Sequence, residues 1–287
     1  VIDLHAHTTA SDGTDAPAEL VQIAIQAGIR ALAITDHDTM DGCAPAETAA
    51  AGTPLRLIAG VELSTRVEEQ PDPAFRSAHL LGYFPAGCNP DFPAWLEALR
   101  SRRRERNEGM IERLRKLGFE ITLDEVSARA RNIAGRPHFA QVLLEKGYCD
   151  TFEECFERYL GERGLAFVER ADPPLEEGVA RIRNAGGVPV LAHPVRTIPT
   201  LDEAGPTLKR WAAAGLAGVE VWHPSHDVWA QIVYWRLAGE LGLAATGGSD
   251  YHGVYKPALH LGWGRAGEIQ VPGSVLEDLD RLARYAK

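Results

Sequence analysis

The sequence predicts an α/β fold: a closed or nearly closed barrel of parallel strands with helices outside, interrupted by an inserted helical domain. Three observations predict it. Short apolar or β-branched runs alternate with helical patterns, which argues for a parallel sheet. Six or seven such runs occur, too many for a small open sheet. Between about residues 95 and 167 the alternation stops, and helical patterns follow one another without strands.

Residues 1–7 form the first apolar run. The first helix follows, with Asp15 as its expected cap, Pro17 in its first turn, and Leu20, Ile23, Ala24 and Ala27 on one face before Gly28 stops it. Strands are then expected at 31–36, 57–63 and 79–84. Helical patterns at 95–117 and 137–146 mark the insertion, and strands resume at 188–193, 218–222 and 243–247. The expected boundaries are therefore 1–95 for the first part of the barrel, 96–167 for a helical lid domain and 168–287 for the second part.

Composition narrows the function. The 287 residues are 45% hydrophobic and 24% charged, which is ordinary for a globular chain. A net charge of −10 disfavours a nucleic-acid coat protein, whose affinity comes from neutralising phosphates. It leaves room for a phosphorylated substrate held by a few placed cations. Cys43, Cys88, Cys149 and Cys155 show no CxxC spacing, so neither a disulfide scaffold nor a thiolate zinc site is expected. No apolar run approaches the ~18 residues of a membrane span, and the expected location is the cytoplasm. The chain starts at Val1 and not Met, which suggests a trimmed leader. Within the insertion the run Arg102, Arg103, Arg104, Arg106 reads either as a solvated helix face or as a phosphate-facing lid.

The histidines carry the functional signal. Nearly every expected strand ends in or beside a histidine or carboxylate: His5 and His7 with Asp12 following, His37 within Thr35-Asp36-His37-Asp38, Glu62, His79, His193, His223 with His226, and Asp250 with His252. The C-terminal strand ends of a parallel barrel open onto one face, so these residues converge there. That many imidazoles and carboxylates at one rim repel or desolvate one another unless a cation lies between them. In His5-Ala6-His7, alternate strand residues point the same way and can share a metal. His138 and His260 fall outside this pattern.

The series Asp3-Leu4-His5-Ala6-His7, Ser11-Asp12-Gly13, Ile34-Thr35-Asp36-His37-Asp38, Gly60-Val61-Glu62, His79-Leu80-Leu81-Gly82-Tyr83, Leu191-Ala192-His193-Pro194 and Gly248-Ser249-Asp250-Tyr251-His252 resembles the PHP family, the polymerase and histidinol phosphatase phosphoesterases related to the amidohydrolases. The resemblance implies a distorted (β/α)7 barrel holding up to three divalent metal ions. By motif, His5, His7, Glu62 and Asp250 would hold one metal, Asp12, His37 and His252 a second, and Glu62, His79 and His193 a third, with Glu62 bridging. Asp12 departs from members that carry a histidine there. The extra oxygen ligand favours Mn2+, Mg2+ or Fe2+ over Zn2+, and Mn2+ is the first expectation, with Fe2+, Mg2+ and Zn2+ as alternatives.

Within the family, the likeness is to the branch with a helical insertion, which includes 3′,5′-nucleoside bisphosphate phosphatases and 5′-3′ exoribonucleases acting on short RNA. Gly135-Arg136-Pro137-His138-Phe139-Ala140 resembles the insertion's signature, and His193-Pro194-Val195-Arg196 its arginine-bearing strand end. Two guanidiniums, Arg136 and Arg196, suit two phosphates. Ser11 and His138 are further expected substrate contacts. His223 is expected near the metals as a proton donor or phosphate contact.

The implied chemistry is phosphoester hydrolysis by metal-activated hydroxide. The first expectation is release of the 3′-phosphate from nucleoside 3′,5′-bisphosphates such as adenosine 3′,5′-bisphosphate. The rival is a 5′-3′ exoribonuclease on short RNA oligonucleotides, with the arginine run tracking the strand. A histidinol-phosphate phosphatase and a non-catalytic, metal-stabilised binding module rank lower. The expected partner is a small phosphorylated nucleotide, with no membrane and no obligate protein partner.

Overall fold

The computed structural model describes residues 1–130, 134–161, 163–169 and 172–285. The chain forms two compact units, one of Val1–Trp95 with Asp172–Lys287 and one of Leu96–Ala171.

The first unit is built on one seven-stranded sheet whose strands lie in sequence order: β1 (Ile2–Asp3), β2 (Ala31–Ile34), β3 (Arg56–Arg66), β4 (Ser77–Tyr83), β5 (Val188–Leu191), β6 (Gly218–Trp222) and β7 (Ala244–Gly247). The ends of the sheet curl together. Leu4 N–H donates to the Gly247 carbonyl at 3.1 Å and Ala6 bridges to Tyr251, which nearly closes the barrel. The sequence pattern predicts one strand over residues 1–7, but regular pairing covers only β1. The carboxylate of Asp3 bends the ladder here: it accepts the amides of His5 (3.2 Å), Ser249 (3.0 Å) and Gly262 (2.6 Å) and the Ser249 hydroxyl (2.5 Å).

The expectation of an all-parallel sheet is corrected at β4, which runs antiparallel to both β3 and β5. The connection from β3 to β4, residues 67–76, holds only a short 3-10 turn (Pro73–Phe75), too little chain for a crossover. β4 therefore returns as a hairpin partner, and its beginning lies at the rim where the parallel strands end. His79, paired in register with Ser64, reaches the rim by this route.

Helix α1 (Pro17–Gln26) buries Leu20, Val21 and Ala24, and these pack with Leu32 and Ile34. Its cap is Ala16 and not Asp15. Glu19 reaches back to accept the Ala16 amide (2.9 Å), while Asp15 instead accepts the Tyr251 hydroxyl (3.0 Å). The same unit carries α2 (Cys43–Ala50). The helix α3 (Asp91–Lys116) leads into the second unit, which adds α4 (Leu123–Ser127), α5 (Arg136–Glu145) and α6 (Phe152–Cys155). Met110, Leu114, Ile121, Phe139, Val142, Leu143 and Leu160 form that unit's own apolar core, and no strand occurs among its described residues. The arginine run divides: Arg106 is buried with a guanidinium nitrogen 3.0 Å from Met110 Sδ, whereas Arg102 and Arg104 are exposed.

After the insertion, α7 (Leu175–Asn184), α8 (Leu201–Ala213), α9 (Val228–Leu241) and α10 (Ser274–Tyr285) complete the first unit. Asp227 caps α9 by accepting the Ala230 amide (2.7 Å), and Gly242, in the left-handed region at φ 66°, ends it. No helix among the described residues is long and apolar enough to cross a membrane.

Candidate metal centre

The nine expected ligands, His5, His7, Asp12, His37, Glu62, His79, His193, Asp250 and His252, meet at one end of the barrel. Glu62, from β3, is the middle of the group. Its Oε2 stands 3.2 Å from His5 Nε2, 3.2 Å from His7 Nε2 and 3.2 Å from His37 Nδ1. Its Oε1 stands 2.8 Å from His79 Nδ1 and 2.9 Å from His193 Nε2. Asp250 Oδ1 lies 3.7 Å from His5 Nε2 and 3.4 Å from His7 Nε2. Asp12 joins His7, His252 and His37 at 3.5, 3.4 and 3.8 Å.

Whether a cation fits follows from the hydrogen positions that the partners impose. His5 Nδ1 donates to Glu220 Oε1 (2.9 Å), so Nε2, turned toward Glu62 and Asp250, is the nitrogen free to give a lone pair to an ion. His252 Nδ1 donates to the Asp250 carbonyl (2.7 Å), so its Nε2 lone pair faces Asp12. Nε2 of His5, Nε2 of His7, Nδ1 of His37 and Oε2 of Glu62 are buried and make no hydrogen bond. Imidazoles and a carboxylate crowded together in a buried site are stable only with positive charge among them, as protons or as an ion. Two groupings have ligand atoms within 4.8 Å of one another that match this need: His5, His7, Glu62, Asp250 and His7, Asp12, His37, His252. A third is His37, Glu62 and His79, with His193 on the same Glu62 oxygen. The mix of imidazole and carboxylate, without thiolate, suits a divalent ion of intermediate hardness.

The electrostatics agree. Burial favours the neutral acid at Glu62, yet His37, His5 and His79 hold its carboxyl well below the usual range. Asp250 is likewise held well below its usual range against burial by His223, His7 and His5. Burial pushes His193 down to about 3 and His37 down to about 4, whereas at His7 burial is outweighed by Asp250, Glu62 and Asp12, which raise it to about 9. The cage thus keeps its carboxylates charged and attracts positive charge inward.

The backbone is strained at the same place. Among the described residues, the non-glycine positions with positive φ are Asp38 (53°), His193 (27°) and Asp250 (53°). Side chains hold the loops there. Asp38 accepts the Ser64 amide (2.8 Å) and hydroxyl (3.0 Å). Asp36 accepts the Thr8 amide (2.8 Å), the Thr8 hydroxyl (2.8 Å) and the Ser11 hydroxyl (2.6 Å). Ser11 is buried in this contact.

His223 differs from the other rings. The backbone N–H of Ser225 donates to its Nδ1 (3.0 Å), so the ring proton is on Nε2, 3.5 Å from Asp250 Oδ2. In its neutral form that nitrogen offers a proton and no lone pair. His226 points elsewhere, its Nδ1 donating to the Val221 carbonyl (2.7 Å), and His260 is exposed. Arg196 is half-exposed, with Nη2 3.6 Å from Asp250 Oδ2. In the second unit, His138 Nδ1 accepts the Gly135 amide (3.0 Å) at the start of α5, and the Arg136 guanidinium lies 6.0 and 5.9 Å from the ring centres of Phe156 and Phe167.

The pattern of the PHP domain matches residues 3–168 of this chain. The chain belongs to the PHP family. This PHP protein is 33% identical over 250 residues to a 5′-3′ exoribonuclease of Haemophilus influenzae, covering 87% of the chain and 89% of the relative. It is 32% identical over 271 residues to a 3′,5′-nucleoside bisphosphate phosphatase of Chromobacterium violaceum, covering 88% and 87%. A crystal structure from Bifidobacterium adolescentis, assigned as a metal-dependent phosphoesterase, superimposes with a TM-score of 0.77 at 31% identity, covering 98% of this chain and 96% of that one. The chain is a metal-dependent phosphoesterase of this family.

Two residues of this PHP site escape the motif reading. Lys256 Nζ lies 2.8 Å from Asp250 Oδ2, in a loop whose sequence has no periodicity to read. Glu220 is fully buried in β6; its one sequence signal is a lone charge between Val219 and Val221 in an otherwise apolar strand.

Proposed function

We propose that this PHP protein removes the 3′-phosphate from nucleoside 3′,5′-bisphosphates, giving the nucleoside 5′-monophosphate and phosphate. The observation that carries the reading is a pair of cations beside the cage: Lys256 Nζ and Arg196 Nη2 stand 2.8 and 3.6 Å from one oxygen of Asp250, and both side chains are partly exposed. Cations next to a cation-binding cage suit a substrate with a phosphate to spare beyond the one that reacts.

His5, His7, Asp12, His37, Glu62, His79, His193, Asp250 and His252 would hold up to three divalent ions, Mn2+ ahead of Fe2+, Mg2+ and Zn2+. Such ions supply Lewis-acid polarisation of the phosphoryl group and make a water acidic enough to attack near neutral pH. His223 gives the proton on its Nε2 to the departing 3′-oxygen. Arg196 and Lys256 hold and orient the second phosphate. A cytoplasmic enzyme without an obligate protein partner goes with this reading.

The Haemophilus influenzae relative favours a second reading, 5′-3′ exoribonuclease on short RNA. Both reactions break the bond between phosphorus and the 3′-oxygen of a nucleotide that bears a 5′-phosphate. The deciding experiment gives Mn2+-loaded protein adenosine 3′,5′-bisphosphate and, separately, an end-labelled 5′-phosphorylated oligoribonucleotide. Phosphate release faster than mononucleotide release is expected. The reverse order would make RNA the main substrate, and no turnover of either would overturn both readings.

A further inference from the structure

We infer that Glu220 is a positioning residue that holds two ligands of the metal cage in their working orientations at once. The inference rests on the metal-binding reading of the cage and not on the identity of the substrate. Glu220 comes from β6, is fully buried, and has each oxygen committed to a different partner. Oε1 accepts the Nδ1 proton of His5 at 2.9 Å, and Oε2 accepts the backbone N–H of His193 at 2.7 Å.

These two bonds act on different parts of the cage. The first sets the His5 tautomer. A carboxylate only accepts, so a ring proton is kept on Nδ1 and Nε2 is the nitrogen left to give a lone pair to an ion, facing Glu62 Oε2 at 3.2 Å and Asp250 Oδ1 at 3.7 Å. The second holds a strained backbone. His193 sits at φ 27°, a conformation unfavourable for a residue with a Cβ, and its amide is fixed there by Glu220 while its ring reaches Glu62 Oε1 at 2.9 Å. Glu220, His5 and His223 also form a group with metal-ligand spacing. The hydrogen positions decide against a separate ion there: Glu220 has spent both oxygens, and the His223 nitrogen facing Asp250 carries a proton.

The test is Glu220→Gln, nearly the same in shape. With its NH2 toward the His193 N–H the amide loses that bond, and with its NH2 toward His5 it either loses the ring bond or drives the ring proton to Nε2, so one of the two functions fails either way. Titration calorimetry with Mn2+ on chelator-treated protein, with no nucleotide present, is expected to show binding weakened by about 10–100-fold in the variant. Binding within twofold of wild type would overturn the inference. Wild-type protein supplies an independent arm that needs no variant to fold. In its Zn2+-loaded form, ring 15N spectra are expected to show His5 with its proton on Nδ1, the resonance being identified by its loss in His5→Gln. A proton on Nε2 would overturn the inference. Wild-type protein that takes up no divalent ion would overturn the metal reading along with it, whereas failure to hydrolyse nucleotides would leave the calorimetric result standing.

Discussion

The Ser225 amide donates to His223 Nδ1 at 3.0 Å, and this one bond separates His223 from the rings around it by leaving its proton on Nε2. A ring so arranged gives a proton, whereas His5 and His252, whose Nδ1 atoms donate, turn Nε2 toward the cage. His223→Gln is therefore expected to lower kcat on adenosine 3′,5′-bisphosphate by about 100-fold or more, in the range of general-acid contributions. On p-nitrophenyl phosphate, whose leaving group departs without a proton, the loss should be under about tenfold by the same logic. Steady-state rates on the two substrates check this, and equal losses would remove His223 from the proton-donor role.

Removing divalent ions should abolish turnover and lower the melting temperature. An ion that binds only the folded cage adds about 2.7 kcal/mol of stability at a hundredfold excess over its Kd. Thermal unfolding with EDTA and with Mn2+ measures the difference, and coincident curves would contradict the cage.

Lys256→Met should reduce the preference for a second phosphate. The expected outcome is a fall of about tenfold in the ratio of kcat/KM for adenosine 3′,5′-bisphosphate to that for adenosine 3′-phosphate, as for loss of one charge-assisted contact. An unchanged ratio would take Lys256 out of substrate binding.

Gly248 lies against the first strand with no room for a side chain. A Cβ there would stand 2.3 Å from His5 N and 2.5 Å from His5 Cβ, and backbone cannot yield as a flexible side chain does. Gly248→Ala should destabilise the protein by about 1–3 kcal/mol or more and weaken ion uptake, because His5 moves. Urea unfolding and metal analysis of purified protein are the measurements, and wild-type values in both would refute the steric argument.

His226 makes a pH-dependent contribution to stability. Burial lowers it to about 4, while an unfolded chain titrates near 6.5, so between these values the unfolded state binds the extra proton. Stability from this group is present above about 6.5 and is lost as the pH falls, by about 2 kcal/mol between pH 7 and pH 5. In chelator, the drop in urea-unfolding free energy over that interval should be smaller in His226→Gln by about this amount. Parallel pH profiles would show that the ring titrates normally.

The ligands are legible in the sequence because most of them stand in or beside the end of an apolar run, and the barrel's parallel strand ends share a face. His79 shows the limit of that rule: it lies near the beginning of its strand, and joins the group only because β4 runs backward. The length of residues 67–76 carries that information, while strand alternation does not. Glu220 is visible as an oddity in β6, but its partners lie just beyond β1 and just beyond β5, and only closure of the sheet brings them to it. The cap of α1 lies one position beyond Asp15, because Asp15 has the right chemistry while Glu19 has the right reach.

Five imidazoles share the two oxygens of Glu62. Changing that side chain disturbs every ion position together, so metal preference cannot be retuned from the middle. Asp12 touches His7, His37 and His252 but neither Glu62 nor Glu220 in the ion-pair network, and its side chain is half-exposed. It is the point at which one position could be re-engineered, for example by restoring a nitrogen ligand, with the remaining coordination left intact.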